Sequence, residues 1–278
     1  MLYLGYKPIQ GDRIMLKKIA LVAAVAASAS FATYSFFPVP EAHKGQVEVG
    51  AQYGWTDHSS DMKIIAGAEF SVIQNLAVSV TGLGYQLWDE EDDCDKTKTC
   101  PDNDGFTGLT LGARYQFMPI LIAALDVNLP LTSEDVIGPS KYDPFGLYGA
   151  IQFTKEFVPN LWFGSEAGLS YKFEDEKKTE GLGLTLQVEL DYTIASIGLT
   201  PWIGAEMDMR ISDVEEDLPG AKIEYGSGDN AFLVWIGAGY DITPMFTVKA
   251  NFIMKFADEK ESMGEDWMGV NAKLAINF

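Results

Sequence analysis

The chain has 278 residues, with 40 Asp and Glu against 20 Lys and Arg, a formal charge of −20. So negative a molecule repels phosphate backbones, which argues against nucleic-acid binding, and at 47% hydrophobic residues it is not a disordered chain. Only two His and two Cys are present, which removes zinc sites, Cys₄ clusters and most His-centred catalysis.

Residues 15–32 read MLKKIALVAAVAASASFA. Lys17 and Lys18 make a basic start and 19–27 a short apolar run. Ser30 and Ala32, or Ala27 and Ala29, then stand at the small-residue positions of a signal peptidase site. The run is too short to span a bilayer as a helix, and no later stretch approaches ~20 apolar residues. The expected organisation is a signal-peptide region over 1–32, with 1–14 an extension from a misplaced start. A short periplasmic lead over 33–44 follows, and then one large β architecture over 45–278.

From residue 45 the chain alternates with period two. Val47, Val49, Ala51, Tyr53 and Trp55 oppose Gln46, Glu48, Gly50, Gln52 and Gly54. Leu109, Leu111, Ala113, Tyr115 and Phe117 oppose Thr110, Gly112, Arg114 and Gln116. The clearest run sets Leu182, Leu184, Leu186, Val188, Leu190 and Tyr192 against Gly183, Thr185, Gln187, Glu189 and Asp191. A helix scatters such sets around its axis; a strand separates them. Twelve strands are predicted, at about 45–55, 63–72, 76–88, 106–117, 120–131, 145–157, 161–173, 182–192, 197–211, 231–242, 246–256 and 267–278. The least regular is 197–211, where Pro201 requires a position without a ladder hydrogen bond, so ten or fourteen strands stay open.

The connections alternate in kind. Short ones carry Gln74-Asn75, Met118-Pro119, Pro159-Asn160, Ala195-Ser196 and Thr243-Pro244. Long ones run over 56–62, 89–105, 132–144, 174–181, 212–230 and 257–266, and hold 28 of the acidic residues against 7 basic ones. Short turns at one end and long loops at the other are the pattern of a transmembrane β-barrel, and 10–13 residues suit a tilted membrane strand. A soluble sandwich explains alternation but not one-sided loop length and charge. On the face expected to meet lipid, Phe70, Phe117, Phe157, Tyr192, Tyr240, Phe246 and Phe278 gather at the short-turn ends. Trp55, Tyr171, Phe173 and Phe256 gather at the long-loop ends, which makes two interfacial girdles.

The final strand places Met268, Val270, Ala272, Leu274, Ile276 and Phe278 on one face, ending on the aromatic. This resembles the C-terminal signal of bacterial outer-membrane β-barrel proteins, porins among them. The resemblance covers the mature chain in architecture, and only these last residues act as a motif. It implies an antiparallel up-and-down barrel in the outer membrane of a Gram-negative-type bacterium, with long loops outside. It also implies recognition of the Phe278 end by the assembly machinery, and outer-membrane lipid and lipopolysaccharide as surroundings.

The opposite face is the expected lumen. Its candidate pore-lining residues are Glu69, Arg114, Asp126, Glu166, Glu189, Glu206, Asp208, Lys249 and Lys273. Eight strands fill themselves and 16–18 leave a clear channel, so twelve predicts a narrow pore for small hydrophilic solutes. Its acidic mouth favours cations or neutral solutes. The competing reading is a lumen closed by pairing among these charges, which makes a non-conducting scaffold whose acidic loops are the working part. Trp162, Trp202 and Trp235 also fall on the lumen face, as a stacking surface for sugars or as filling.

In an oxidising compartment Cys94 and Cys100 most simply form a local disulfide. The loop around them, 89–105, is dense in carboxylates that suit divalent cations, but Asp102-Asn103-Asp104-Gly105 lacks the spacing of an EF-hand, and a solvated loop is the plainer reading. No enzyme is expected. His43 precedes the first strand, and Asp57, His58 and Ser59 are consecutive, so their side chains diverge rather than align for proton relay. No cofactor is implied.

Overall fold

The computed structural model describes residues 34–57, 59–91, 104–137, 142–176, 178–218, 221–258 and 263–278. Sixteen strands follow in chain order. They begin with β1 (Gly45–Trp55), β2 (Ser59–Ile73), β3 (Leu76–Glu91), β4 (Gly105–Phe106), β5 (Leu109–Met118) and β6 (Leu121–Leu129). Next come β7 (Gly146–Val158), β8 (Leu161–Lys172), β9 (Lys178–Thr179), β10 (Gly181–Tyr192) and β11 (Leu199–Arg210). The last are β12 (Val214–Leu218), β13 (Ala221–Tyr225), β14 (Asn230–Asp241), β15 (Phe246–Ala257) and β16 (Trp267–Asn277).

Twelve of these close a barrel. Each pairs antiparallel with its neighbours, in the order β2-β1-β16-β15-β14-β11-β10-β8-β7-β6-β5-β3, and β2 pairs with β3 to complete the ring. The final strand lies against the first, with Val49 opposite Leu274 and Ala51 opposite Ala272. Closure leaves the barrel without a free sheet edge, the arrangement that a lipid interior requires of strands.

The wall is apolar outside and polar inside. Val49, Leu111, Tyr115, Leu125, Ile151, Leu169, Val188, Ile203 and Ile236 stand exposed, as do Phe157, Tyr192, Tyr240 and Phe278. Glu48, Glu69, Gln86, Arg114, Asp126, Gln152, Glu166, Gln187 and Glu206 are buried. In water this arrangement forfeits about 25 cal/mol for every Å² of apolar surface left outside. Lipid is the solvent that removes the cost. Among the described residues no helix is long and apolar enough to cross a membrane.

The short turns follow the sequence. In Gln74-Asn75 and Pro159-Asn160 the asparagine takes the left-handed backbone, with φ of 66° and 69°, which Asn tolerates better than most side chains. Pro201 sits opposite Ala238 of β14, one residue beyond the last β10 pairing at Trp202, so the missing N–H costs the β10 ladder nothing and the strand count is twelve.

Two of the long connections differ from expectation. The first is shorter than expected, because β2 begins at Ser59, not near 63. Thr56 N donates to the Ser59 carbonyl (2.9 Å), and Asp61 pairs with Lys63 inside the barrel (3.2 Å). Polar residues there belong to a strand because their face is the lumen. The second is 212–230, which folds as the β12–β13 hairpin and joins β9 in a separate three-stranded sheet. The 132–144 connection carries a one-turn helix, Glu134–Ile137.

Candidate functional site: the barrel interior

Alternation along each strand carries one polar side chain per two residues to the interior, and register stacks them into rows. Lys249 of β15 donates to Glu48 Oε1 (2.5 Å) and Gln46 Oε1 (3.0 Å), and Lys273 of β16 to Glu48 Oε2 (3.2 Å). Around the ring from this cationic side, Glu189 accepts the indole N–H of Trp235 (2.5 Å). Asp208 accepts the Thr185 hydroxyl (2.6 Å). Glu166 accepts from the Tyr148 hydroxyl (2.5 Å) and from Gln152 (2.7 Å). Asp126 lies opposite Tyr148 in the β6–β7 register. Glu69 accepts two bonds from Arg114, at 2.8 and 3.2 Å. All nine candidate lining residues face inward: Lys249 and Lys273 on a lysine side at β15–β16, Asp126, Glu166, Glu189, Glu206 and Asp208 on an acidic side at β6–β11, and the Glu69–Arg114 pair between β2 and β5.

The sequence gives no warning of what crosses between these sides. Residues 34–39 lie inside the barrel, ahead of a tight entry at His43, whose N–H donates to Ser71 O while Ser71 N–H donates back to Lys44 O, both at 2.8 Å. Arg114, 1% exposed, donates from Nη1 to the carbonyls of Ser35 and of Phe37 (3.1 Å for the latter). Gln152 donates to the same Ser35 carbonyl (2.9 Å), and Gln116 Oε1 accepts from Val39 N–H (3.1 Å). At one end Tyr34 donates to Gln46 Oε1 of β1 (3.1 Å). Phe36 is buried against Gly164 of β8, where a Cβ would stand 2.6 Å from that of Phe36. β1 and β8 are six positions apart around the twelve-strand ring, so the segment bridges opposite walls. Three of its backbone polar groups, the Ser35 and Phe37 carbonyls and the Val39 N–H, are met by wall side chains, as enclosed backbone groups require.

The signal that could have found it is weak. Arg114, Gln116 and Gln152 have the right donors and acceptors, but nothing in a single sequence pairs them with a carbonyl 77 or 117 residues away. Two of the inward tryptophans pack into spaces left by glycines. The Trp235 ring occupies the space left by Gly204 of β11, and that of Trp202 the space left by Gly237 of β14. Cys94, Cys100 and His58, with most of the 89–105 connection and the signal-peptide region, lie outside the described residues.

At the long-loop end a second charged cluster ties the loops together. Glu180, just before β10, meets Lys172 (2.7 Å), Arg210 (3.5 Å) and Lys178 (3.6 Å). Tyr142 donates no charge there, but its hydroxyl accepts the Glu180 N–H (3.1 Å) and its ring lies under Lys178, 4.8 Å from the ammonium. Burial alone pushes the Glu180 carboxyl up, but Lys172, Arg210 and Lys178 more than reverse it and hold it well below the ordinary carboxylate range. Burial lowers the Lys178 ammonium against the pull of Glu180. Asp143 joins the neighbouring connections by accepting from Thr132 N–H (2.8 Å) and Oγ1 (3.0 Å) and donating its own N–H to Asp175 (2.9 Å).

No family model and no curated protein matches the chain. Solved structures do. An outer membrane channel from Pseudomonas putida F1 superposes with a TM-score of 0.67 at 11% identity, covering 90% of this chain and all of that one. LpxR from Salmonella typhimurium reaches 0.52 at 11% identity, over 83% of this chain and all of its own. The NanC porin reaches 0.51 at 10% identity, over 84% of this chain and all of the porin. At such identities the likeness is one of fold. That fold is the outer-membrane β-barrel, and two of these three barrels are named as a channel or a porin.

Proposed function

We propose that the protein is an outer-membrane channel for passive passage of small hydrophilic solutes, favouring cations or neutral compounds. One observation carries the reading: the barrel strands bury most of their charged and amide side chains inside while their large apolar residues stand exposed outside, the pattern of a wall around a hydrophilic path through lipid. Four inward carboxylates on one side, Asp126, Glu166, Glu206 and Asp208, give that path a negative wall, and charged walls select permeant ions. The long acidic connections then act as a funnel that concentrates cations outside. Segment 34–39 narrows the path and limits what passes. We place the barrel in the outer membrane, with its Phe278 end the part offered to the assembly machinery and lipopolysaccharide around its outer rim.

A second reading is favoured by that same segment: with its carbonyls bonded to Arg114 and Gln152 it also suits a closed barrel whose outer loops meet a surface partner. Current across a planar bilayer decides between them. Discrete steps with a cation-selective reversal potential are the expected outcome. A silent bilayer from protein whose folding is confirmed by heat-modifiable gel mobility sinks the channel reading.

A further inference from the structure

One inward row has needs that the protein does not itself meet. Register aligns Gln152 of β7, Glu166 of β8, Gln187 of β10 and Glu206 of β11 side by side, spaced by about 5 Å per strand. Thr185 and Asp208 form the next row. Glu166 is fully engaged by Tyr148 and Gln152. Its neighbours are not. Gln187 is 2% exposed with Nε2 unbonded, and Glu206 is 4% exposed with Oε1 unbonded, among the described residues. Nearby Asp126, 2% exposed, likewise leaves Oδ2 unbonded. The same row continues through Leu233 to Lys255, but that ammonium donates to the Met263 carbonyl (2.6 Å). Glu206 and Asp208 thus lie on one face of β11 with no cation in ion-pair contact among the described residues.

Buried polar atoms without partners are costly, buried carboxylates most of all, so a wall holding several together is built for something that brings partners. A bare metal ion is a poor fit: among the described residues no three acidic or His side chains stand close enough to hold one. The carboxylates need positive charge and N–H donors spread over several ångströms. The Gln187 amide, set between two of them, needs an acceptor, which an ammonium group does not have and a hydroxyl does.

We propose that this row binds a hydroxylated ammonium compound, of which an amino sugar is the simplest kind, with the ammonium at Glu206 and Asp208 and a hydroxyl accepting from Gln187. The inference rests on the channel reading in one respect, that solutes reach the inner wall, and gives that wall a preferred solute class.

Equilibrium dialysis of the refolded full barrel in non-ionic detergent tests it, with radiolabelled glucosamine as the probe, below the pKa of its amine. The wild type is expected to retain glucosamine, to lose it readily to unlabelled glucosamine, less readily to methylammonium, and hardly to glucose. Glu206→Gln keeps the side-chain size and removes the charge, and is expected to lower retention about tenfold, the equivalent of one charge-assisted bond. Gln187→Met should erase the advantage of glucosamine over methylammonium. Equal retention by wild type and Glu206→Gln overturns the proposal, as does displacement by glucose as effective as by glucosamine. Gel mobility reports the fold of each variant. Retention with a silent bilayer would spare the site and sink the channel; steady current without retention would do the reverse.

Discussion

Glu48 and Glu206 project into the same barrel and live in opposite surroundings. Glu48, on β1, stands between Lys249 and Lys273 and is bonded to both. Glu206, on β11, stands in a row of carboxylates and amides and keeps an oxygen unbonded. The first arrangement completes itself: opposite charges close the wall where the last strand meets the first. The second is incomplete without a visitor. The contrast teaches that inward charge in such a barrel is of two kinds, one that holds the ring together and one that is left over for solutes. Segment 34–39 lies between them, joined to the wall by Arg114, which is itself paired with Glu69.

That division is broken most sharply at Arg114. Arg114→Met leaves Glu69 buried without a cation and frees the carbonyls of Ser35 and Phe37. Removing one member of a buried pair costs about 3–5 kcal/mol, so the unfolding free energy obtained from urea titration should fall by that amount, with conductance rising as the segment loosens. The double change Arg114→Met with Glu69→Leu should recover most of the stability and none of the constraint. If conductance stays at the wild-type level in both, the segment is not what limits passage.

Glu48→Gln comes next. It strips the only carboxylate bonded to Lys249 and Lys273 in the described residues, at a cost of roughly 1.5–3 kcal/mol for the lost charge-assisted bonds. The reversal potential in a salt gradient should move towards anions. The same change at Glu206 should alter selectivity in that direction with little loss of stability, because Glu206 is not paired. Equal destabilisation by the two variants would erase the distinction between the two walls.

Glu180 offers the pH test at the outer rim. Its folded pKa lies below the ordinary value of about 4.3, so the unfolded chain binds more protons in that region. The stabilisation it supplies is complete above the ordinary value and is lost as pH falls from there through the folded pKa. Limited proteolysis of the β9, β12 and β13 sheet should therefore accelerate on acidification below the ordinary carboxylate range. In Glu180→Gln it should already be faster at neutral pH and respond less to acid. The smallest effect is expected at Lys222, whose pairs with Glu215 (2.7 Å) and Glu224 (3.6 Å) are exposed. Such pairs contribute about 0–1 kcal/mol, so Lys222→Ala should leave both proteolysis and conductance near wild type.

The alternation of Leu182 to Tyr192 was enough to predict a strand, its lipid-facing side and its inward side, because side-chain direction in a strand depends on residue parity alone. The same rule placed Glu69, Arg114, Asp126, Glu166, Glu189, Glu206, Asp208, Lys249 and Lys273 inward without knowledge of any contact. It failed where polarity was mistaken for a loop: Ser59 to Asp61 read as a connection and form a strand end, since on a lumen face Asp61 and Lys63 are at home. It left Tyr148, Gln152 and Gln187 out of the candidate lining residues, although parity set Gln187 on the inward face, because a neutral polar residue stands out less than a charged one. Within 212–230 the acidic run Glu215-Glu216-Asp217 hid the β12–β13 hairpin, which is held by pairing with β9 and by the buried Val214 at its start.

By itself, the sequence determined the class of the wall: twelve alternating segments, an apolar exterior, a polar interior, and loops long and acidic at one end. These follow from local periodicity and from the needs of backbone groups in lipid, both of which act residue by residue. Only the tertiary structure decided which inward charges pair. Glu48 meets Lys273 because the barrel closes on itself, a contact between residues at opposite ends of the chain. Residues 34–39 cross the interior because Arg114 and Gln152, on two different strands of the same ring, converge on one carbonyl. Among the described residues Glu206 is in no ion pair, and Lys255, two strands away in its row, donates to the Met263 carbonyl. Periodicity gives the direction of a side chain; its partner is set by which strands the closed ring brings side by side.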